Sequence, residues 1–346
     1  MKKLRCAVIG LGMGRGHVRG YREHPQCEVV AVADIDKKKL EEYQKAEQIP
    51  EVFTDPVKML KKVKPDLVSI VVPNKFHLPL TLAALEHGCH VLCEKPMALN
   101  AAEAQIMEVT AEKAGLRLAV NFSSRFSPQA FAMKKLVDEG TLGEVYFARS
   151  IWQRRRGMPG FGGWFGTKAL SGGGPLIDLG VHRLDLALWL MNYPEPQWVI
   201  GSTYNKIAAP IAAREKKNFD VEDFACAMIK FKNGATLELE ASWAGNIKPN
   251  EMMSTRLLGT QGGLYQFNPD GNYEFQLEAY VERGGCQYDM KLHPPVPESH
   301  SSYYSFADAI INNKPFSVSA REGVVVMQLL DAIYESSATG RPVELP

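Results

Sequence analysis

The stretch Cys6-Ala7-Val8-Ile9-Gly10-Leu11-Gly12-Met13-Gly14 decides the fold, because it is typical of a buried strand that enters a helix through a glycine-rich turn. Glycines let the backbone turn tightly and approach a pyrophosphate, and the N-terminus of a helix offers unpaired N–H groups to the phosphates. Asp34 follows the next apolar run, residues 29–33, where a carboxylate binds ribose hydroxyls. The pattern predicts an NAD site, and the charge of Asp34 disfavours the 2′-phosphate of NADP.

The glycine spacing departs from the usual G-x-G-x-x-G, because the third glycine, Gly14, comes one residue early and Gly16 follows it. Taken alone, the glycine cluster also fits an ordinary turn, and Asp34 also fits a surface carboxylate. The strand before the turn and the position of Asp34 favour the nucleotide site. We therefore expect Gly10, Gly12, Met13 and Gly14 to contact the cofactor.

Composition sets wide bounds on the protein. A chain of 346 residues is too long for one ordinary core, so we expect two domains. Lys plus Arg (40) nearly equals Asp plus Glu (39), which predicts neither a nucleic acid nor a membrane partner. Residues 1–4 lead directly into a strand and no apolar run reaches membrane-spanning length, so we expect a cytoplasmic location. No C-x-x-C pair occurs among the six cysteines, and we expect no metal site.

Strand and helix patterns alternate through the first third of the chain, which predicts a Rossmann-type, doubly wound parallel sheet over residues 1–123. Chemistry in such sheets gathers at the carboxyl ends of the strands. Several residues follow predicted strands and are expected to face the cofactor: Pro73, Asn74, His77, Glu94, Lys95 and Asn121.

The pattern changes after Ser127-Pro128, which predicts a helix start. Long runs of alternating polarity follow, and Asn233-Gly234 between two of them predicts a hairpin, since type I′ turns need positive φ at both central residues. Residues 124–346 are therefore predicted to form an α+β domain with a large, open, mainly antiparallel sheet.

The segment 171–185 carries the candidate chemistry of this second domain. Asp178, His182 and Asp185 fall at i, i+4 and i+7 of a predicted helix and would project side by side. A histidine takes the proton of an alcohol, a carboxylate one turn away orients it, and a lysine such as Lys95 stabilises the alkoxide. The alternatives are a surface ion pair or half of a metal site for Asp178 and His182, and a solvated side chain for Lys95.

An aromatic and basic loop precedes this helix and is the candidate substrate site. Aromatic faces stack on sugar rings, and arginines bind hydroxyls or carboxylates. The aromatic residues also fit core or interface positions, and the arginines also fit an oligomer contact or the adenosine phosphates. The predicted substrate contacts are Arg125, Trp152, Arg154, Arg155 and Trp164, together with Lys95, Asp178 and His182.

These motifs resemble the Gfo/Idh/MocA group, named after glucose-fructose oxidoreductase, inositol dehydrogenase and a rhizopine-catabolism protein. The resemblance rests on the glycine loop, Asp34, Pro73-Asn74 with His77, Glu94-Lys95-Pro96 and residues 172–182, and it extends to the closing helix, residues 321–339. It implies that Lys95 lies by the nicotinamide, that His182 with Asp178 is the acid–base pair, and that the sheet of the second domain builds dimers or tetramers.

We therefore expect an NAD-dependent oxidoreductase that moves a hydride between the nicotinamide and a secondary hydroxyl of a sugar, glycoside or cyclitol. Two alternatives stay open. One is an NAD-dependent glycosidase that oxidises C3 transiently and eliminates the aglycone. The other is a non-catalytic NAD-binding sensor, which would have no need to retain Lys95, Asp178 and His182 together.

Overall fold

The chain forms two compact units. The computed structural model describes residues 3–269, 271–296 and 299–345. The first unit is Met1–Phe122 with His300–Met327, and the second is Ser123–Ser299 with Gln328–Pro346. Met1 and Lys2, at the predicted entry to the first strand, lie outside the described residues.

The first unit contains a six-stranded parallel sheet with the order β3-β2-β1-β4-β5-β6. The order reverses between β1 and β4, as in a doubly wound nucleotide-binding sheet, so the predicted fold class is confirmed. The strands are β1 (Leu4–Ile9), β2 (Cys27–Ala33), β3 (Glu51–Phe53), β4 (Leu67–Ile70), β5 (His90–Cys93) and β6 (Leu118–Val120).

Five helices separate these strands, and two more lie later in the chain, between the strands Cys286–Lys291 and Val343–Glu344. They are α1 (Gly14–Glu23), α2 (Lys37–Glu47), α3 (Pro56–Val63), α4 (His77–Glu86), α5 (Ala101–Ala114), then α10 (Ser302–Ile311) and α11 (Ala320–Thr339), whose last residues belong to the second unit. The predicted N-caps are confirmed: Asp55 accepts from the N–H groups of α3, and Asn100 accepts from Glu103 in α5.

The segment His300–Met327 returns to the first unit, which differs from the predicted division at residues 123 and 124. The physical reason is the packing of α10 on α1. The ring of Tyr303 lies 4.2 Å from that of His17, and a Cβ at Gly20 would come within 2.4 Å of Tyr303. The absence of a side chain at Gly20 thus leaves the space on α1 that Tyr303 occupies.

The second unit is built on a nine-stranded sheet with the order β14-β13-β12-β11-β7-β10-β9-β8-β15. Only the β7–β10 pair is parallel among its described pairings, so the predicted, mainly antiparallel sheet is confirmed. The strands are β7 (Val145–Arg154), β8 (Pro196–Tyr204), β9 (Phe224–Phe231), β10 (Thr236–Ser242), β11 (Glu251–Gly259), β12 (Gly262–Phe267), β13 (Gln276–Arg283), β14 (Cys286–Lys291) and β15 (Val343–Glu344).

The helices of the second unit are α6 (Pro128–Asp138), α7 (Lys168–Ser171), α8 (Val181–Leu190) and α9 (Ala208–Glu215). Among them, α8 packs on the central strands β7 and β10, and α6 packs on β13. Ser127 caps α6 as predicted, and α8 is almost entirely buried. Across the described ranges, no helix is both long and apolar enough to span a bilayer.

Candidate functional site

The glycine loop of the first unit has the geometry of a phosphate cradle. Gly10 has φ +95°, and a Cβ there would lie 2.0 Å from the carbonyl oxygen of Val71, so only glycine fits. A Cβ at Gly14 would lie 2.9 Å from the side chain of Val8. Around Gly12, by contrast, no atom lies within 4 Å of the Cβ position. The loop therefore packs tightly against the sheet at both ends and leaves its middle open.

Asp34 follows β2 and is fixed by the same loop. Its carboxylate accepts hydrogen bonds from the backbone N–H of Leu11 at 2.7 Å and of Asp36 at 3.0 Å, and Lys39 Nζ lies 3.2 Å away. Partial burial raises the pKa of Asp34, but these N–H groups and the Lys39 ammonium outweigh it and lower that pKa below its usual range. Asp34 is thus an ionised, oriented carboxylate beside the glycine loop.

These residues fit a bound dinucleotide. The first turn of α1 contains no acidic side chain that would repel a phosphate, its N-cap Met13 is 65% exposed, and Gly12 leaves room above the backbone. The early third glycine does not disturb the arrangement, because α1 begins at Gly14 itself.

Three of the predicted cofactor residues follow β4 and β5. Pro73 opens a short 3-10 turn, Asn74–Phe76, in which Asn74 is buried. Lys95 is the second residue after β5 and is partly exposed. Since β4 and β5 are adjacent parallel strands, these residues lie along one edge of the sheet, as predicted.

Glu94 and Asn121 are placed in the interior of the first unit. Glu94 Oε1 accepts from Asn121 Nδ2 at 2.6 Å and lies 2.8 Å from His17 Nε2. The other ring nitrogen of His17 lies 2.8 Å from the hydroxyl of Ser69. The hydroxyl of Tyr21 lies 2.6 Å from the same Ser69 hydroxyl. Burial raises the pKa of Glu94, but His17 and Asn121 outweigh that effect and lower it. The carboxylate is therefore an ionised group within a connected buried network.

His77 has a different role from the one predicted. Its side chain is fully buried, with Nδ1 2.8 Å from the carbonyl oxygen of Pro96 and Nε2 2.9 Å from that of Val72. Burial lowers the pKa of His77, against the effect of the two carbonyls. Since both ring nitrogens already face backbone, His77 joins the segments that follow β4 and β5, and the predicted contact of its side chain with the cofactor is corrected.

In the second unit, a buried carboxylate fixes the start of the candidate site helix. Glu222 accepts from the backbone N–H of Gly174 at 2.9 Å and of Leu176 at 3.1 Å, and from the hydroxyl of Tyr334 at 2.9 Å. A Cβ at Gly173 would lie 2.0 Å from that hydroxyl, which explains a glycine there. Burial raises the pKa of Glu222, although its donors oppose the shift.

The segment Leu176–Gly180 is a π-helical turn that leads into α8, so the predicted regular spacing from Asp178 to His182 is wrong, whereas His182 and Asp185 both lie in the regular helix α8. A π turn closes i→i+5 hydrogen bonds and rotates the residues before it relative to those after it; such turns are frequent at functional sites. Asp178 lies in this turn, and its Oδ2 accepts from Trp243 Nε1 at 3.0 Å.

Asp185 and Arg125 form a structural pair. Arg125 donates through Nε to Asp185 Oδ2 at 2.9 Å and through Nη2 to Oδ1 at 2.5 Å, and both side chains are at most 1% exposed. Tyr193 contacts both of them. The predicted substrate contact of Arg125 is therefore corrected, because its charge is neutralised by Asp185 inside the second unit. Asp185 lies three residues after His182 in α8, but its carboxylate binds Arg125.

His182 lies beside Trp152, the predicted sugar platform. The two ring centroids are 5.6 Å apart, and Trp152 Nε1 donates to Glu251 Oε1 at 2.6 Å. Arg183, buried one residue further along α8, lies with its Cζ 5.4 Å from the centre of the Trp152 ring. Trp152 is thus held in one orientation next to His182.

The three arginines of the basic loop, Arg154, Arg155 and Arg156, make different contacts. Arg154 joins the Trp152 cluster, with Nε 2.7 Å from Glu251 Oε1 and Nη2 3.1 Å from the hydroxyl of Tyr273. Arg155 is exposed, and its backbone N–H donates to the carbonyl of Asn250. Arg156 donates to the carbonyl of Gly245.

The aromatic residues near this loop also have different packing partners. Trp164 stacks on Phe165 with centroids 3.8 Å apart. Phe165 and Phe161 pack against the buried cluster around Trp243, as the core alternative allowed.

The sequence did not reveal the residues outside the motifs whose hydrogen bonds fix the motif side chains and backbone. They are His17, Ser69, Glu222, Trp243, Glu251 and Tyr273. His17 is three residues from Gly14 in the first turn of α1, so its position was visible, but its partner Glu94 is 77 residues away. Among the described residues, no group of three metal-ligating side chains occurs.

Comparison with known proteins agrees with both units. Residues 4–122 match the family described as "Oxidoreductase family, NAD-binding Rossmann fold", and residues 131–265 match the Gfo/Idh/MocA C-terminal domain. The chain is 35% identical over 353 residues to D-glucoside 3-dehydrogenase of Escherichia coli strain K12, covering 99% of this chain and 97% of the relative. It is also 35% identical over 253 residues to a putative UDP-kanosamine synthase oxidoreductase subunit of Amycolatopsis mediterranei strain S699, covering 70% and 69%.

Solved structures show the same likeness. The crystal structure of GenD2 from gentamicin A biosynthesis, in complex with NAD, superposes with a TM-score of 0.83 at 26% identity and covers 100% of this chain and 97% of that one.

Proposed function

The chain belongs to the Gfo/Idh/MocA family of NAD-binding oxidoreductases, and on that premise we propose that it is a dehydrogenase of a secondary hydroxyl of a sugar, glycoside or cyclitol. The observation that carries the proposal is the placement of His182 against the fixed ring of Trp152. An imidazole beside an aromatic face combines a proton acceptor with a surface on which the C–H face of a sugar stacks.

Oxidation of a secondary alcohol removes a hydride from carbon and a proton from oxygen. NAD, when bound, supplies the hydride acceptor. His182 takes the hydroxyl proton, and Asp178, whose Oδ2 is fixed by Trp243, orients the imidazole or binds a neighbouring hydroxyl. Lys95 stabilises the developing alkoxide with its positive charge.

The cofactor is held by the glycine loop and by the ends of the strands. In this proposal, the N–H groups around Gly10, Gly12, Met13 and Gly14 bind the pyrophosphate, Asp34 binds the ribose hydroxyls, and Pro73 with Asn74 borders the nicotinamide side. The support is the open space above Gly12 and the fixed, ionised Asp34. The charge of Asp34 makes NAD the preferred cofactor.

The substrate is held by the cluster around Trp152. Arg154 and Arg155 donate to hydroxyl groups or to a carboxylate, and Trp164 adds a second aromatic face. The D-glucoside 3-dehydrogenase relative makes D-glucosides the first compounds to test.

A screen of glycosides, free sugars and inositols with NAD tests the function through the absorbance of NADH. We expect turnover with at least one compound, and a loss of about 10²–10⁴-fold in kcat for His182→Asn and for Lys95→Met at an unchanged melting temperature. The matched control is His293→Asn, which changes an exposed histidine of the second unit.

Three results would redirect the proposal. Net hydrolysis of a glycoside without accumulation of NADH indicates the glycosidase. Cofactor binding without turnover of any polyol contradicts the dehydrogenase. A crystal with NAD and a substrate in which Lys95 and His182 contact different groups contradicts the assigned roles.

We also propose a homodimer or homotetramer formed through the sheet of the second unit. Ile200 and Met228 are directly opposed on neighbouring strands β8 and β9, and both are exposed by more than a third. Tyr146 on β7 is 50% exposed. Exposed apolar side chains on a sheet are typical of interfaces. Light scattering after gel filtration tests this, and Met228→Glu is expected to shift the mass toward the monomer.

A cytoplasmic location is part of the proposal and is supported by the cysteines. All six are free thiols, and four of them, Cys6, Cys27, Cys89 and Cys93, are buried. Reduced thiols are typical of the cytosol. Fractionation of cells that express the tagged chain tests the location.

A further inference from the structure

Tyr273 is an aromatic residue of the second unit that the sequence motifs did not single out. It lies between β12 and β13 and is 60% exposed. Its hydroxyl is nevertheless fixed, because it donates to Glu251 Oε1 at 3.2 Å and accepts from Arg154 Nη2 at 3.1 Å. Exposed side chains usually change rotamer within nanoseconds. Two hydrogen bonds at the tip of Tyr273 therefore hold its ring in one place, while much of the residue stays open to solvent.

The backbone on both sides of Tyr273 is held as well. Asn268 is buried, and its Oδ1 accepts from the N–H of Met253 on β11 at 2.7 Å. The Nδ2 of Asn268 donates to the carbonyl of Asn272 at 2.9 Å, and the side chain of Asn272 accepts from the N–H of Glu274 at 2.8 Å. The residues immediately before and after Tyr273 are thus tied through Asn268 to the sheet. A surface that is ordered before a ligand arrives loses less entropy on binding.

Tyr273 continues the aromatic contact that begins at His182. The ring of His182 lies 5.6 Å from that of Trp152, and the ring of Trp152 lies 6.3 Å from that of Tyr273 at an interplanar angle of 73°. The Trp152 ring is the shared neighbour of the other two. A sugar that stacks on Trp152 with one hydroxyl at His182 therefore has Tyr273 as the next aromatic surface for the group attached to it.

The polar atoms of Trp152 and Tyr273 are already engaged. Trp152 Nε1 and the Tyr273 hydroxyl both donate to Glu251 Oε1, and the same oxygen lies 2.7 Å from Arg154 Nε. The surfaces that these two aromatic residues offer to a ligand are therefore the faces and edges of their rings. Such surfaces bind another ring, either an aromatic ring or the C–H face of a sugar.

We propose that Tyr273 forms an outer subsite, which binds a ring attached to the sugar that is oxidised. The inference rests on the proposed function, since it takes the sugar to lie on Trp152 with its reacting hydroxyl at His182. Glu251 positions both aromatic side chains through their polar atoms. Glycosides with a cyclic aglycone are then the preferred substrates, ahead of free sugars, cyclitols and glycosides with a small aglycone.

Isothermal titration of the whole protein, saturated with NADH, tests the subsite without turnover. The ligands are methyl and phenyl D-glucosides, each as the α and the β anomer, and the measured quantity is the ratio of the methyl Kd to the phenyl Kd. In the wild type, the phenyl glucoside of one anomer is expected to bind about three- to tenfold more tightly, which is the gain from one aromatic pair. In Tyr273→Ala the ratio is expected to fall to within about twofold of one, while the Kd of the methyl glucoside changes by less than about twofold.

Further measurements separate the ring of Tyr273 from its hydrogen bonds and from general effects. Tyr273→Phe removes the hydroxyl and keeps the ring, so most of the phenyl advantage is expected to remain. Tyr288→Ala is the matched control, because Tyr288 on β14 is 50% exposed, and its removal is expected to leave the ratio unchanged. Cellobiose replaces the phenyl glucoside in a third titration and shows whether a second sugar ring uses the same subsite.

The outcomes distinguish this inference from the proposed function. A gain that depends on Tyr273, with the phenyl glucoside or with cellobiose, supports the subsite. The subsite is overturned by no gain with either ligand in the wild type, by an equal loss of both glucosides in Tyr273→Ala, or by a loss in Tyr273→Phe or Tyr288→Ala as large as in Tyr273→Ala.

If an inositol or a free sugar is oxidised but no glucoside binds, the subsite is wrong and the proposed function stands. If the gain depends on Tyr273 but no compound yields NADH, the proposed function fails and the subsite stands.

Discussion

Arg125 and Asp185 form a two-point ion pair that is almost completely removed from solvent in the second unit. Breaking a buried pair leaves one charge without compensation, which costs about 3–5 kcal/mol. We therefore expect Asp185→Asn to lower the free energy of unfolding by roughly that amount, as measured by urea denaturation.

The double variant Arg125→Met with Asp185→Leu is the control for this pair. Replacing both partners by apolar groups removes the unpaired charge, so its loss of stability is expected to be clearly smaller than that of Asp185→Asn. An equal or larger loss would show that the pair acts through its shape and its contact with Tyr193.

Gly10 and Gly12 are expected to respond differently to alanine. Gly10→Ala places a Cβ 2.0 Å from a backbone oxygen at a positive φ, so it should lower the melting temperature. Gly12→Ala meets no atom of the protein, so the melting temperature should stay unchanged while the Kd for NADH rises about tenfold. Unchanged NADH binding in Gly12→Ala would place the pyrophosphate elsewhere.

Asp34 is expected to determine the preference for NAD over NADP. Asp34→Asn removes the charge that repels a 2′-phosphate and leaves the Lys39 ammonium, 3.2 Å away in the wild type, without its carboxylate. Titration with NADH and NADPH should show the affinity ratio moving toward NADPH by about tenfold or more. Asp36→Asn, at the N-cap of α2, is the matched control and should leave the ratio unchanged.

Glu222 predicts a pH-dependent stability. Burial raises its pKa in the folded protein, so the folded state binds this proton more tightly than the unfolded state. Stability from this group is therefore present below the unfolded pKa and is lost as the pH rises through the raised, folded pKa. Glu222→Gln lacks this proton, and the melting-temperature difference, wild type minus variant, should be smaller at pH 8 than at pH 5. A difference that grows with pH contradicts the raised pKa.

Local patterns were sufficient for much of the fold. The α3 cap at Asp55 and the α5 cap at Asn100 depend on residues within a few positions of one another, and both appear as predicted. The hairpin at Asn233-Gly234 also forms, between β9 and β10, but the predicted type I′ turn is wrong: Gly234 has a positive φ and Asn233 does not, and the N–H of Gly234 donates to the carbonyl of Phe231. The glycine loop with Asp34 was also predictable from local patterns, because strand, turn and helix follow one another directly. Such features are encoded by backbone geometry and short-range hydrogen bonds, which the sequence displays.

Other features depend on partners distant in sequence. A regular helical spacing grouped Asp185 with His182, but a buried arginine 60 residues away takes Asp185, and the π turn changes the register of Asp178. His77 faces two backbone carbonyls that no motif indicates.

The sequence by itself determined the nucleotide-binding sheet, the mainly antiparallel second sheet and the identity of the residues that carry the candidate chemistry. Only the tertiary structure decided which charged groups are neutralised inside each unit, which ones remain at the sheet edge, and that His300–Met327 returns to the first unit. The physical reason is that periodicity and capping report the local backbone, whereas the cost of burying a charge is met by any compensating group that folding brings close, at any separation along the chain.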